Sequence, residues 1–197
     1  MTEPNINYPS ERYLRALGLT QRHHAAQDKT FSGQFTWKQR HRIKVLIERF
    51  GAASMLDYGC GKGKQYDPAR NRDTEGRSLE EFWGIAPTRY DPGVPAYAAE
   101  PQGKFDLVIC VQVLGSIPTA DLPWVIDRLY GFAGKAIFVA ERLILPRKQI
   151  YQSMRAEMPY GHSAEHWLGL LERDGGVPLI AMFREADRGW YQAELNG

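Results

Sequence analysis

The stretch that most constrains this chain is Ser54-Met55-Leu56-Asp57-Tyr58-Gly59-Cys60-Gly61-Lys62-Gly63-Lys64-Gln65-Tyr66. A short apolar run ends in an acid, and glycines follow at positions 59, 61 and 63. The apolar run predicts a buried strand. Glycines lack Cβ and accept positive φ, so they predict a turn where a ligand and the backbone approach closely. The residues after Gly63 can open a helix whose N-terminal amides favour a negative group. A dinucleotide fingerprint needs G-x-G-x-x-G, and here the third glycine comes one residue early. A P-loop needs Ser or Thr after its lysine, and Lys62 is flanked by glycines.

The periodicity on either side predicts alternating strands and helices. Ser10 is a candidate N-cap for a helix to about Leu19. Gln27 to Thr36 reads as a loop. Trp37 to Phe50 reads as one amphipathic helix, with Ile43, Leu46, Ile47 and Phe50 at i, i+3, i+4 and i+7. Residues 64–82 form a charged, irregular insertion with a short helix near Ser78 to Phe82. Trp83-Gly84-Ile85 and Thr88-Arg89-Tyr90 compete for the next strand, whose end is placed at Tyr90-Asp91. Phe105 to Val111 and Lys135 to Ala140 are continuous apolar runs, as expected of parallel strands covered on both faces. Between them Leu122, Val125, Ile126 and Leu129 repeat at helical spacing. Ser163 caps a helix to about Arg173, Gly175-Gly176 breaks the chain, and Val177 to Phe183 with Gly189 to Leu195 suggests a closing hairpin. The sum is an α/β, doubly wound, mainly parallel Rossmann-like sheet with a C-terminal antiparallel hairpin strand. Residues 1–36 would be an N-terminal helix and lid segment, and 37–197 the ligand-binding part of one globular unit.

The match Leu56-Asp57-Tyr58-Gly59-Cys60-Gly61-Lys62-Gly63 resembles motif I of the class I S-adenosylmethionine (SAM) methyltransferases, an acid followed by G-x-G-x-G. The resemblance extends from about Phe31 to Leu195. It implies a SAM-dependent methyltransferase that binds S-adenosyl-L-methionine and releases S-adenosyl-L-homocysteine. By this resemblance Gly59, Cys60, Gly61 and Gly63 approach the methionine moiety. Asp57 organises the loop and helps hold the amino group. Asp91, followed by Pro92, takes the ribose hydroxyls, as a carboxylate offers two acceptor oxygens to a vicinal diol. Gln112 and Val113, after the Phe105 strand, line the cofactor. Phe31-Ser32-Gly33 and Trp37 resemble the N-terminal lid of some relatives. Many relatives carry Glu-His where this chain has Gly115-Ser116, and that departure leaves open a second function, a non-catalytic SAM/SAH-binding module acting through a protein partner. A nucleotide-binding oxidoreductase is opposed by the glycine spacing.

A catalytic base is needed only if the acceptor holds a proton at neutral pH. Candidates are His162, His166, Tyr160 and Glu141. His162-Ser163-Ala164-Glu165-His166 also fits the H-x-x-E-H zinc pattern. Ser163 as an N-cap would place His162 outside the helix, so no metal site is expected. His23, His24 and His41 read as surface residues. The chain has two cysteines, Cys60 and Cys110, expected as buried thiols in a cytoplasmic protein. Residues 1–50 hold nine Lys/Arg against four Asp/Glu. The basic stretch Lys38 to Lys44 reads as a solvated helix face, so nucleic acid is not excluded but unsupported. No membrane span or signal peptide is expected. The signatures of amino- and cytosine-C5 DNA methylation are missing, and the short chain favours a small-molecule acceptor or an accessible group on a larger molecule.

Overall fold

A computed structural model describes residues 9–26, 31–143, 149–174, 176–185 and 189–196. Six strands form one sheet: β1 (Met55–Tyr58), β2 (Thr88–Tyr90), β3 (Phe105–Val111), β4 (Ala133–Arg142), β5 (Leu179–Glu185) and β6 (Gly189–Leu195). Their spatial order is β2-β1-β3-β4-β5-β6. All neighbours are parallel except β5 and β6, which pair antiparallel from Leu179–Leu195 to Glu185–Gly189. The chain leaves β1 toward β2 on one side and resumes at β3 on the other. In such wound sheets the crevice at that reversal, outside the strand carboxyl ends, is where ligands bind.

The helices are α1 (Glu11–Ala26), α2 (Gln34–Lys38), α3 (Arg40–Phe50), α4 (Leu79–Trp83), α5 (Leu122–Phe132) and α6 (Ala164–Leu171). They divide the core into two layers. On one face α5 and α6 bury Val125, Ile126, Leu129, Trp167 and Leu171 against Val108, Ile137 and Phe183. On the other, α3 and α4 bury Ile43, Ile47, Leu79 and Trp83 against Leu107, Ile109 and Phe138. This two-sided cover is why β3 and β4 are apolar without alternation.

Three local expectations are corrected. The first helix runs to Ala26, well past Leu19. The helix expected over Trp37 to Phe50 is divided at Gln39. There the Arg40 guanidinium donates to the Trp37 carbonyl, and the ladder restarts with the Ile43 amide on the Gln39 carbonyl. After Gly63 the chain makes only a 3₁₀ turn, Lys64–Tyr66, before Asp67 adopts an extended conformation. Asp67 precedes Pro68, and a following proline disfavours the helical region. The short helix at Ser78 does form, with a capping box in which Ser78 Oγ accepts from the Glu81 amide and Glu81 Oε2 accepts from the Ser78 amide. Of the glycine pair expected to break the chain, Gly175 lies outside the described residues.

Among the described residues no helix is long and apolar enough to cross a membrane, and no group of three His, Cys, Asp or Glu could hold a metal ion.

Candidate functional site

A cavity of about 990 Å³ opens at the carboxyl ends of β1, β2, β3 and β4. The glycine loop forms its floor. The amides of Gly59 and Cys60 donate to the Tyr90 carbonyl at 2.7 and 3.1 Å, fastening the loop to the end of β2. The Gly61 amide donates to Asp91 Oδ2 at 2.8 Å, and the Gly93 amide to Asp91 Oδ1 at 2.8 Å. Asp91 is 9% exposed and lines the cavity. Burial raises its pKa, against the two amide donors that lower it. Each carboxylate oxygen accepts one backbone bond and keeps a second lone pair.

Gly59, Gly61 and Gly63 all have positive φ. The atoms that require glycine belong to three different segments. A Cβ on Gly59 would stand 2.3 Å from Val113, and one on Gly61 would stand 2.6 Å from the Phe31 carbonyl oxygen. A Cβ on Gly63 would stand 2.7 Å from the Tyr97 hydroxyl. Gly59, Cys60 and Gly61 line the cavity, whereas Gly63 is not part of its wall. Burial holds the Cys60 thiol protonated, and it donates to the Gly61 carbonyl at 3.4 Å.

Asp57 lies beneath this loop, 1% exposed, and is not on the cavity wall. Its Oδ2 accepts from the Tyr66 hydroxyl at 2.6 Å and from Gln65 Nε2 at 3.1 Å. Gln65 also donates to the Cys60 carbonyl at 3.1 Å, tying the acid to the loop backbone. Burial pushes Asp57 up to about 6, and these two donors pull against it. Nothing in the motif spacing identified Gln65 and Tyr66 as the partners of this acid.

The second wall follows β3. Gln112 has φ of 60°, and its amide donates to the Ala140 carbonyl at 2.8 Å. The amides of Val113 and Leu114 both donate to Glu141 Oε1 at 2.7 Å. Glu141, 3% exposed at the end of β4, thus fixes the turn carrying Gln112, Val113 and Ser116, all cavity residues. Burial raises its pKa to about 7 despite its backbone donors.

The roof comes from the N-terminal segment and the chain after β4. Phe31 to Thr36 lie along the cavity, with the Lys62 amide donating to the Phe31 carbonyl at 3.2 Å. Trp37 is not among these residues. It packs with the α3 side of the core, under the Arg40 guanidinium at 4.9 Å. Helix α1 contributes Tyr13, Leu17, Thr20 and His24 from one face. Its first turn is held by Ser10, whose hydroxyl donates to Asp121 Oδ2 at 2.7 Å and whose amide donates to Oδ1 at 3.2 Å. His24 therefore corrects the surface expectation. It is buried, stacked on Phe31 at 4.4 Å, and held neutral to about pH 4 by burial, with Lys62 and His23 acting in the same direction. His41 packs edge-on against Phe82.

Of the four candidate bases, Glu141 and Tyr160 line the cavity. His162 and His166 do not; they stack on each other at 4.0 Å. Sequence reasoning missed Tyr151, whose hydroxyl lies 2.8 Å from Thr20 Oγ1 on the cavity wall.

A parallel sheet reversing direction beside β1, with a glycine turn and an acid at its carboxyl edge, follows the Rossmann-like plan of α/β binding proteins. Within that class the chain belongs to a methyltransferase family. A family model described as a methyltransferase domain matches residues 35–185. No curated protein and no solved structure matches the chain.

Proposed function

We propose that the protein is a SAM-dependent methyltransferase acting on a small-molecule acceptor held in the same cavity. The observation that carries this reading is Asp91. A buried carboxylate that spends one lone pair per oxygen on the glycine loop, and faces the cavity with the rest, suits the two hydroxyls of a ribose. The cofactor, when bound, supplies an activated methyl group and leaves as S-adenosyl-L-homocysteine.

The fit extends along the floor and walls. Gly59, Cys60 and Gly61 offer close backbone approach at the amino-acid end, and Gln112 and Val113 flank the nucleoside. Asp57 and Gly63 support this surface from behind, through Gln65, Tyr66 and Tyr97. The roof of α1 and residues 31–36 excludes water, and orientation with water exclusion is the main contribution an enzyme makes to such a transfer. At about 990 Å³ the cavity lies at the top of the roughly 300–1,000 Å³ range of small-molecule sites, which favours a cofactor and an acceptor together. Two free, buried cysteines fit a reducing compartment such as the cytoplasm.

Isothermal titration with SAM, S-adenosyl-L-homocysteine, NAD and NADP tests the reading. Binding of the first two alone is expected; preference for NAD or NADP would overturn it. Tight binding of SAM without methylated product from metabolites, RNA or protein would instead favour the non-catalytic module.

A further inference from the structure

The charged groups on the cavity wall are Asp91, Glu141 and Arg142. Asp91 is engaged with the loop. Arg142 lays its guanidinium over the Phe35 ring at 5.2 Å. Among the described residues Glu141 has no cationic partner; its donors are the backbone amides of Val113, Leu114 and Gly115. Oε1 accepts the Val113 and Leu114 amides, and Oε2 lies on the Gly115 side, 3.5 Å from the Cβ position of that glycine.

The cavity that carboxylate lines is rich in aromatic side chains. Ser116, next in the turn, acts on the Tyr151 hydroxyl, lowering its pKa against the burial that raises it. Thr20 Oγ1 lies 3.0 Å from the Ala16 carbonyl and 2.8 Å from the Tyr151 hydroxyl. Tyr160, Trp167 and Ile117 line the same cavity. Cys110 on β3 lies beside Glu141, Tyr151 and Tyr160 share its cavity, and the cation on the cavity wall among the described residues, Arg142, is turned over the Phe35 ring. A buried carboxylate without a counter-charge favours a cation at contact, and aromatic faces add to that attraction.

We propose that the methyl acceptor is a protonated amine, its ammonium against Glu141 and its carbon skeleton among Ile117, Tyr151, Tyr160 and Trp167. This rests on the reading of the site as a SAM-dependent methyltransferase. Glu141 accepts one ammonium proton. The nitrogen lone pair so freed forms the new C–N bond to the methyl carbon. The electron pair of the breaking C–S bond stays on sulfur, and the product is a methylated ammonium. An alkylamine keeps its proton to about pH 10, so without such a base the nitrogen has no lone pair to give.

The test uses the full chain saturated with S-adenosyl-L-homocysteine at about pH 8. Benzylamine, benzyl alcohol and benzoate, one ring with three head groups, are titrated calorimetrically. Benzylamine should bind at least about tenfold more tightly than the alcohol, and Glu141→Gln should erase that preference. Glutamine can keep its carbonyl on the Val113 and Leu114 amides, so the variant's affinity for S-adenosyl-L-homocysteine should stay within about threefold of the wild type and report an intact turn. A preference for benzoate, equal binding of all three, binding of none, or selectivity retained in Glu141→Gln would overturn the amine assignment. Failure to bind S-adenosyl-L-homocysteine at all would overturn the methyltransferase reading itself, and the amine assignment with it.

Discussion

The Phe31 carbonyl oxygen lies 2.6 Å from the position a Cβ on Gly61 would occupy, and the neighbouring Lys62 amide donates to that same oxygen. The N-terminal segment thus rests directly on the loop that forms the cavity floor. Gly61 also has φ of 59°, so any side chain there meets both a strained backbone and an immovable carbonyl. Gly61→Ala is expected to cost about 2–4 kcal/mol in urea unfolding and to weaken SAM binding. Gly76→Ala, with a similar positive φ but nothing within 4 Å, should cost only about 1 kcal/mol. Equal losses at the two positions would show that the contact with Phe31 carries no weight.

Asp91 is bonded to two amides and faces the cavity, so its removal has two consequences. Asp91→Ala should weaken SAM binding by about 1–3 kcal/mol, and it leaves the Gly61 and Gly93 amides without their acceptor. Calorimetry at matched temperature and salt measures the first. Unchanged affinity would remove Asp91 from the ribose site.

Glu141 makes a signed prediction about pH. Its folded pKa is raised to about 7, above the ordinary value near 4.5, so between these values the folded state binds more protons than the unfolded state. Its contribution is therefore most favourable at low pH and declines as pH rises through that window. The stability of the wild type relative to Glu141→Gln should fall by up to about 3 kcal/mol between pH 4 and 8. Denaturant titrations of both proteins across that range check it, and a difference that grows with pH would refute it. The difference is the useful quantity, because His24, lowered to about 4, acts on the whole-protein curve in the opposite sense.

Ser10 and Asp121 connect the start of α1 to the chain before α5 by two hydrogen bonds. Asp121→Ala should cost about 1–2 kcal/mol. It should raise amide hydrogen exchange in α1 while the strands stay protected. Uniform loss of protection would mean that Asp121 supports the core and not the roof.

His162 and His166 stack beside the cavity without lining it. Glutamine at either position should leave SAM affinity within about twofold of the wild type. A tenfold loss would place the pair in the site after all.

The central strands β3 and β4 are legible in the sequence because they are covered on both faces. Phe105–Val111 and Gly189–Leu195 have their expected bounds, and Ser163 caps its helix as read. The loop and Asp91 were legible as a motif, but not what each glycine meets. Those partners, Phe31, Tyr97 and Val113, come from three separate parts of the chain, and sequence spacing carries no record of tertiary approach. The missing helix after Gly63 was written in Asp67-Pro68, a local signal that the motif obscured. His24 resembled a surface residue because α1 is polar overall, and only the packing of α1 over the cavity buries it.

Each of the three alternating glycines is wedged against a different neighbour: Val113, Phe31 and Tyr97. The loop therefore works as a keystone, and its sequence is constrained by the architecture around it as much as by any molecule it holds. Divergence in what the cavity holds would disturb that stone least in the 3₁₀ segment Gln149–Glu157 and α6, whereas α1 reaches it through His24 stacked on Phe31.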